Sequence, residues 1–338
     1  MTNKNKILSS YNFARNSNFV FSEVVTKSQF YDLNLKNYTI LDETPNYIFY
    51  KLNYLSIKEN DIVFTNTETI DNLFKLMSKD NSLENIKLIT NQSDKAITLK
   101  LFKNKPDCVV NWYSVNVDHK NAALKPIPLG IANNHSPKNL LVNDFKLNPK
   151  INDLSDISMY INFQTNTNYL ERKNIYSYFK NKNWVEIDSP NLKLDLYKQK
   201  LKQHVFVLCP WGNGIDTHRI WETLYSGGIP ITKYHHTFSA LSDLPILFID
   251  DYENINLDNL DSFLKTVQQN KPKYNKLNID YWISNINGNK LSKNNVLKGT
   301  ESKFNTNIFY VKFRFKKNKN SKLKKILYYL KKVKRLFE

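Results

Sequence analysis

The chain has 338 residues, of which 41% are hydrophobic and 13% aromatic, with 49 basic side chains against 31 acidic ones. That composition supplies one large or two medium cores and excludes a disordered chain, and no apolar run reaches the roughly 18 residues that span a bilayer. The net charge is +18, and Val311–Glu338 carries +11 of it, as ten Lys and two Arg against one Glu; excess charge gathered at one end argues for an attachment device rather than a nucleic-acid recognition fold.

Met1–Ser17 is basic but has no apolar run of signal-peptide length. Cys108 and Cys209 both lie in apolar surroundings. Two such cysteines give no disulfide framework and suit small buried thiols in a reducing compartment. The run Phe19-Val20-Phe21 reads as a strand or as surface cover. From Tyr47 the pattern firms. Tyr47–Tyr50 and Asp61–Thr65 are strands, Ile70–Met77 is a helix, and Ile86–Thr90 is the next strand. Strand, helix, strand favours a parallel α/β domain.

Asp94 follows that last strand. Ligands of open α/β sheets sit beyond strand carboxyl ends, so Asp94 is a candidate base, or else a turn-capping aspartate. Cys108–Tyr113 is strand-like, and Asp118-His119 follows in a loop. Either residue suits proton abstraction from a hydroxyl; the plain alternative is a pair of loop hydrogen-bonders. Pro126–Ile131 is a short strand with Gly130 near its end. The polar stretch 132–149 marks a domain boundary between about 133 and 155. Beyond it, Tyr160–Phe163 and Trp184–Ile187 read as strands, and Asn166–Phe179 and Leu194–Gln203 as helices.

His204–Ile231 is the densest stretch. An apolar run to Cys209 is a buried strand. Pro210, Gly212 and Gly214 break it, and glycines let a backbone approach a ligand closely. Asp216–Tyr225 is then helical, with Ile220, Trp221, Leu224 and Tyr225 on one face. Gly227 and Gly228 stop it, and Ile229–Ile231 begins a strand, completing a βαβ unit. Seven glycines occur in the chain and four of them are here. Asp216, His218, Arg219 and Glu222 crowd the first turns. A helix start behind a glycine loop favours anions, and an arginine fork suits phosphate, so a diphosphate is a reasonable ligand. The alternative is a helix capped by Asp216 with surface ion pairs.

Thr232–Thr237 is a basic, hydroxyl-rich strand end, in which Lys233 suits an anion. Pro245–Asp250 is a strand and Asp251–Gln269 a helix. Asp250-Asp251 is an adjacent pair and not the spaced Asp-x-Asp pair that presents two carboxylates to one metal ion. Adjacent residues of a strand face opposite ways, Asp251 suits a helix cap, and no required metal is expected. Tyr281–Asn305 is a return segment or a loose link. In 321–337, Leu323, Ile326, Leu327, Leu330, Val333 and Phe337 fall at helical steps between lysines. Such a basic amphipathic helix suits an anionic membrane surface; packing on the protein's own body is the alternative. Nucleic acid is not an expected partner.

The segment CPWGNGIDTHRIWETLYSGGIPI (209–231) resembles the donor-side signature of exostosin-like glycosyltransferases. Weaker similarities lie at Asp61–Thr65, Leu88–Asp94, Trp112–His119 and Ile127–Gly130. Relatives often carry His where Asn91 stands, which weakens a base role there. The resemblance implies an α/β protein of GT-B type, with two Rossmann-like α/β domains facing across a cleft. It implies an acceptor side over 1–145, a nucleotide-sugar side over 146–305 and a basic tail over 306–338. The implied reaction moves a sugar from a UDP- or GDP-linked donor to a glycan or lipid-linked acceptor. The resemblance does not fix the stereochemistry; inversion is the expected course, without a metal and with no cofactor beyond that co-substrate. Asn213, Gly214, Asp216, His218, Arg219, Glu222 and Lys233 would hold the donor. Arg219 would stabilise the leaving diphosphate, and Asp118, His119 and Asp94 are the ordered candidates for the base. The expected location is cytoplasmic and peripheral to a membrane. A non-catalytic carbohydrate-binding or glycan-assembly protein on the same fold is the competing reading. A phosphotransferase is disfavoured, since neither GxxxxGK[ST] nor GxGxxG occurs.

Overall fold

The computed structural model describes residues 6–79, 83–147, 149, 157–270, 272–288 and 296–337, with side chains of the last helix described to Lys319 and at Lys322. It is a mixed α/β structure built on two sheets with parallel strands. The run His204–Cys209, read as a buried strand, is buried throughout. β5 (Ile62–Asn66) and β6 (Ile86–Asn91) show no exposed residue, the pattern of parallel strands covered on both faces. The run left open at Phe19 becomes β1 (Phe19–Val25) at the heart of the first sheet. With β2 (Tyr38–Glu43), β3 (Ile48–Leu52), β7 (Val109–Ser114) and β8 (Leu124–Pro126), the order is β2-β3-β1-β5-β6-β7-β8. β1, β5, β6, β7 and β8 are parallel, and the β2–β3 hairpin adds antiparallel to β1. The Ile70–Met77 helix buries Ile70, Leu73, Phe74 and Met77 on one face.

The second sheet is fully parallel. Its strands are β9 (Met159–Ile161), β10 (Val185–Ile187), β11 (Phe206–Leu208), β12 (Ile229–Lys233) and β13 (Leu247–Ile249), in the order β10-β9-β11-β12-β13. The order reverses between β9 and β11. In open α/β sheets that switch point opens a crevice beyond the strand carboxyl ends.

An apolar cluster joins the halves. Ile7, Leu8, Phe13, Ile127 and Ile131 pack with Trp221, Leu224, Tyr225, Ile279 and Trp282 in one core. The stretch from Tyr281 is a return segment, because β14 (Val296–Thr300) pairs antiparallel with β4 (Tyr54–Lys58). The range 146–305 therefore does not stay with the second sheet. Instead of one helix over Asn166–Phe179, two short helices form, Tyr169–Arg172 and Ile175–Phe179. Arg172, the last residue of the first of them, is buried.

The last helix runs Lys303–Phe337. Its first half packs on the protein's own body. Phe313 meets Phe49 edge-on at 5.5 Å, Arg314 and Lys317 pair with Asp42, and Lys316 lies 3.1 Å from Glu68. Just before it, Glu301 makes a buried ion pair with Lys51. The apolar side chains of the 321–337 stripe lie outside the described residues. Among the described residues no helix is long and apolar enough to cross a membrane.

Candidate functional site

The site grows from the loop between β11 and the His218–Tyr225 helix. After Pro210 the loop closes on itself, with the Gly212 N–H donating to the Gly214 carbonyl at 2.9 Å. Asn116, just beyond β7, adopts a left-handed φ of +53°. From there its Oδ1 accepts hydrogen bonds from the N–H groups of Ile215 and Asp216 at 2.9 and 3.0 Å. Gly214 is required by that clamp, since a Cβ there would stand 2.8 Å from Asn116 Nδ2.

Asp216 does not cap the helix. It is buried, and its carboxylate accepts from the Leu129 N–H and the Trp221 indole N–H, both at 2.8 Å. It thus ties the glycine loop to the first sheet. Burial pushes its carboxyl up to about 7, against those hydrogen bonds. Thr217 occupies the cap position without a side-chain cap hydrogen bond, and its buried hydroxyl has no partner among the described residues.

Two arginines meet behind this loop and differ in commitment. Arg172 is buried and fully used. Its Nε donates to the Trp211 carbonyl at 2.8 Å, Nη2 to Pro210 at 2.8 Å, and Nη1 to Gln164 at 2.7 Å and to Thr167 Oγ1 at 2.5 Å. Gly212 leaves it room, for a Cβ there would lie 3.2 Å from Nη2. Burial, then the nearby Arg219, lower its pKa to about 10. Arg219 has a buried Nε with no partner, and among the described residues no acceptor engages its guanidinium. Burial works against its charge, but Tyr197, Cys209 and Glu222 around it hold its pKa above the usual value.

Glu222 is buried beneath Arg219 and accepts from the Tyr197 hydroxyl at 2.8 Å. Burial raises its pKa, while Arg219 and His218 pull the other way. His218 Nδ1 is 2.7 Å from the Gly130 carbonyl. A carbonyl only accepts, so Nδ1 carries the hydrogen and Nε2 is left for a ligand. His135 lies nearby with an unpartnered buried Nδ1. Burial and His218 lower its pKa to about 4, which keeps the ring neutral near pH 7.

These groups line one cleft with two lobes. A lobe of about 580 Å³ lies over the ends of β9 and β10 and includes Asn162, Leu192 and Tyr197. A lobe of about 400 Å³ reaches across to the first sheet, where Val24, Asn91 and Asp94 contribute. Arg219, Glu222, Gln164 and Asn139 belong to both lobes. The carboxyl ends of β1, β6 and β11 therefore open on a common space at the switch point. Four buried polar atoms without partners line it: Asn91 Nδ2, His135 Nδ1, Thr217 Oγ1 and Arg219 Nε. Donors dominate that set, so the space suits an oxygen-rich anion.

Of the residues expected from the sequence, the cleft collects Asp94, Asn213, Gly214, Asp216, His218, Arg219 and Glu222. It does not collect Asp118, His119 or Lys233. Val117 is pinned by Thr237, whose Oγ1 accepts from its N–H at 3.1 Å and donates to its carbonyl at 3.2 Å. The chain then leaves the cleft. Asp118 is exposed, and its charge is felt by His235. His119 packs edge-on against Phe102 at 5.3 Å. Lys233 lies a strand away, 3.7 Å from Glu171 and 3.8 Å from Asp251 and over the Tyr252 ring. Asp251 starts only the short turn Tyr252–Asn254, with no side-chain cap. Among the described residues no group of three or more metal-ligating side chains is arranged to hold an ion.

Sequence reading missed Arg172, Asn116, His135 and Tyr197. One signal was available. Arginine occurs five times in this lysine-rich chain, and a scarce planar fork marks places where a lysine does not serve. Comparison with protein-family models and with curated proteins finds no match for this chain.

Proposed function

We propose that the chain is a glycosyltransferase of GT-B type that takes a nucleotide-sugar donor. The observation that carries this reading is Arg219. Its guanidinium is half-buried, has no protein acceptor among the described residues, and sits at the switch-point crevice beside a second arginine. A group so placed stabilises negative charge that grows on a leaving diphosphate. Arg172 holds the loop in place rather than meeting ligand, and Glu222 with Tyr197 offers acceptors for ribose or sugar hydroxyls. The lobe over β9 and β10 has room for a nucleoside, and the lobe reaching Asn91 and Asp94 for an acceptor. The same two-sided lining supports two domains facing across a cleft. The resemblance of 209–231 to exostosin-like enzymes points the same way, as does a UDP- or GDP-linked donor.

For an inverting reaction, Asp94 and His218 Nε2 are the bases that line the cleft, and they replace Asp118 and His119 in that role. The competing reading, a carbohydrate-binding protein without turnover, draws on one observation: Asp118 and His119, the first candidate bases, stand outside the cleft. The 321–337 segment is proposed to rest on an anionic membrane at the cytoplasmic face. Release of nucleoside diphosphate from a panel of nucleotide sugars, measured with a chelator present, tests the enzyme reading. Metal-independent release that disappears in Arg219→Ala is expected. Nucleotide binding with no release under any acceptor favours the binding protein.

A further inference from the structure

The last helix carries an apolar ridge that faces away from the body. Phe304, Val311 and Phe315 are 72%, 64% and 71% exposed, and Ile308, at 37%, is the edge of the ridge beside the Ile70–Met77 helix. Their spacing of four, three and four residues places them in one stripe. The opposite side of the same helix carries Thr306, Phe309 and Phe313, which face Glu301, Lys51 and Phe49. The helix therefore has its core-facing side filled and a second apolar side in solvent. Large aromatic side chains grouped on a surface mark an interaction site.

Charge selects the occupant. Exposed Lys303, Lys312, Lys319 and Lys322 flank the ridge, and no Asp or Glu occurs from Ser302 to Phe337. A second copy of the chain seated on this ridge would press lysine against lysine. A bilayer with anionic headgroups accepts both features, the aromatic side chains at the acyl boundary and the lysines at the headgroups.

We infer that Phe304, Ile308, Val311 and Phe315 form a ridge that inserts into the interface of an anionic bilayer, nearer the body than the 321–337 segment. The ridge is bolted to the first sheet. Arg314 and Lys317 hold Asp42. Glu68 accepts from both Lys316, at 3.1 Å, and Ser93 at the lip of the cleft, at 3.0 Å. Docking through this ridge fixes the cleft relative to the bilayer, because the same stretch of helix is held to the first sheet. The inference stands on exposure and charge, and it does not depend on the glycosyl-transfer reading.

The test is co-sedimentation of the full-length chain with phosphatidylcholine vesicles, with and without phosphatidylserine. The comparison is the full-length Phe304→Ser/Val311→Ser/Phe315→Ser variant. These side chains are exposed, so the variant's urea unfolding should match the parent. Binding to phosphatidylserine vesicles is expected to fall by about tenfold or more, since each deeply buried aromatic side chain contributes at least about that factor. Parent binding should be lost on pure phosphatidylcholine. Equal vesicle binding by the two chains overturns the inference, as does failure of the parent to bind phosphatidylserine vesicles. A dimer of the parent that the variant lacks, seen by sedimentation velocity, also overturns it, because the ridge would then be covered by a second copy.

Discussion

Arg219→Ala separates a ligand-binding arginine from a structural one. The side chain makes no hydrogen bond to protein among the described residues, so its removal breaks no framework contact. Two electrostatic effects on the fold then oppose each other. Arg172 loses a like-charged neighbour that lowers its pKa, and Glu222 loses a cation that favours its ionised form. With the two effects opposed and no framework hydrogen bond removed, the unfolding free energy is expected within about 1 kcal/mol of the parent, the ordinary range for such a substitution. Ligand binding and turnover behave differently. Loss of one charge-assisted contact costs about 1.5–3 kcal/mol of binding. Loss of a preorganised donor to a developing charge costs about 2.7–4 kcal/mol, or roughly a hundredfold to a thousandfold in kcat. Arg219→Lys keeps the charge without the planar fork and should fall between parent and Ala. Urea unfolding without ligand and calorimetric titration with nucleoside diphosphates measure the two effects separately. A variant that unfolds several kcal/mol below the parent while binding nucleotide normally would refute the reasoning, because Arg219 would then be a framework residue.

The neighbouring arginine should show the opposite profile. Arg172→Ala strips donors from the Gln164, Pro210 and Trp211 carbonyls and should cost roughly 3–5 kcal/mol in urea unfolding. Asn116→Gly keeps the left-handed backbone and deletes the clamp on Ile215 and Asp216; about 2 kcal/mol of stability and weaker nucleotide binding are expected. Asp216 gives a pH signature. Burial raises its folded pKa from the ordinary 3.8 to about 7, so between those values the unfolded chain releases a proton that the native state keeps. Its contribution to stability is complete below about pH 4 and is lost as pH rises through 7. Parent minus Asp216→Asn unfolding free energy should therefore fall across that window, and a flat difference would contradict the assignment.

Much of the framework was legible because it is local. Ile70–Met77 and Leu194–Gln203 carry helical periodicity within a few residues, and their bounds agree with the structure. The glycine loop announced itself through the scarcity of glycine elsewhere, and it does deliver His218, Arg219 and Glu222 to one space. What escaped depends on contacts far apart in sequence. Asn116 acts through a backbone shape that no side-chain pattern announces, on a loop about a hundred residues away. Arg172 carries no local signal of its role, because its partners at Pro210 and Trp211 lie about forty residues on. Asp118 and His119 have suitable chemistry, but the Val117–Thr237 contact turns the chain out of the cleft. Periodicity finds elements, whereas the site depends on where the chain turns between them.

The crevice around Arg219 is proposed to bind a nucleoside diphosphate. Ligand-induced thermal stabilisation tests it most directly, with UDP-, GDP-, CMP- and ADP-sugars, no added metal, and Arg219→Ala alongside. A ligand that binds only the folded state must raise its melting temperature. One class of nucleoside diphosphate sugar is expected to raise the Tm of the parent and not of the variant. An equal shift in both proteins, or no shift from any donor in a parent shown to be folded, would contradict it.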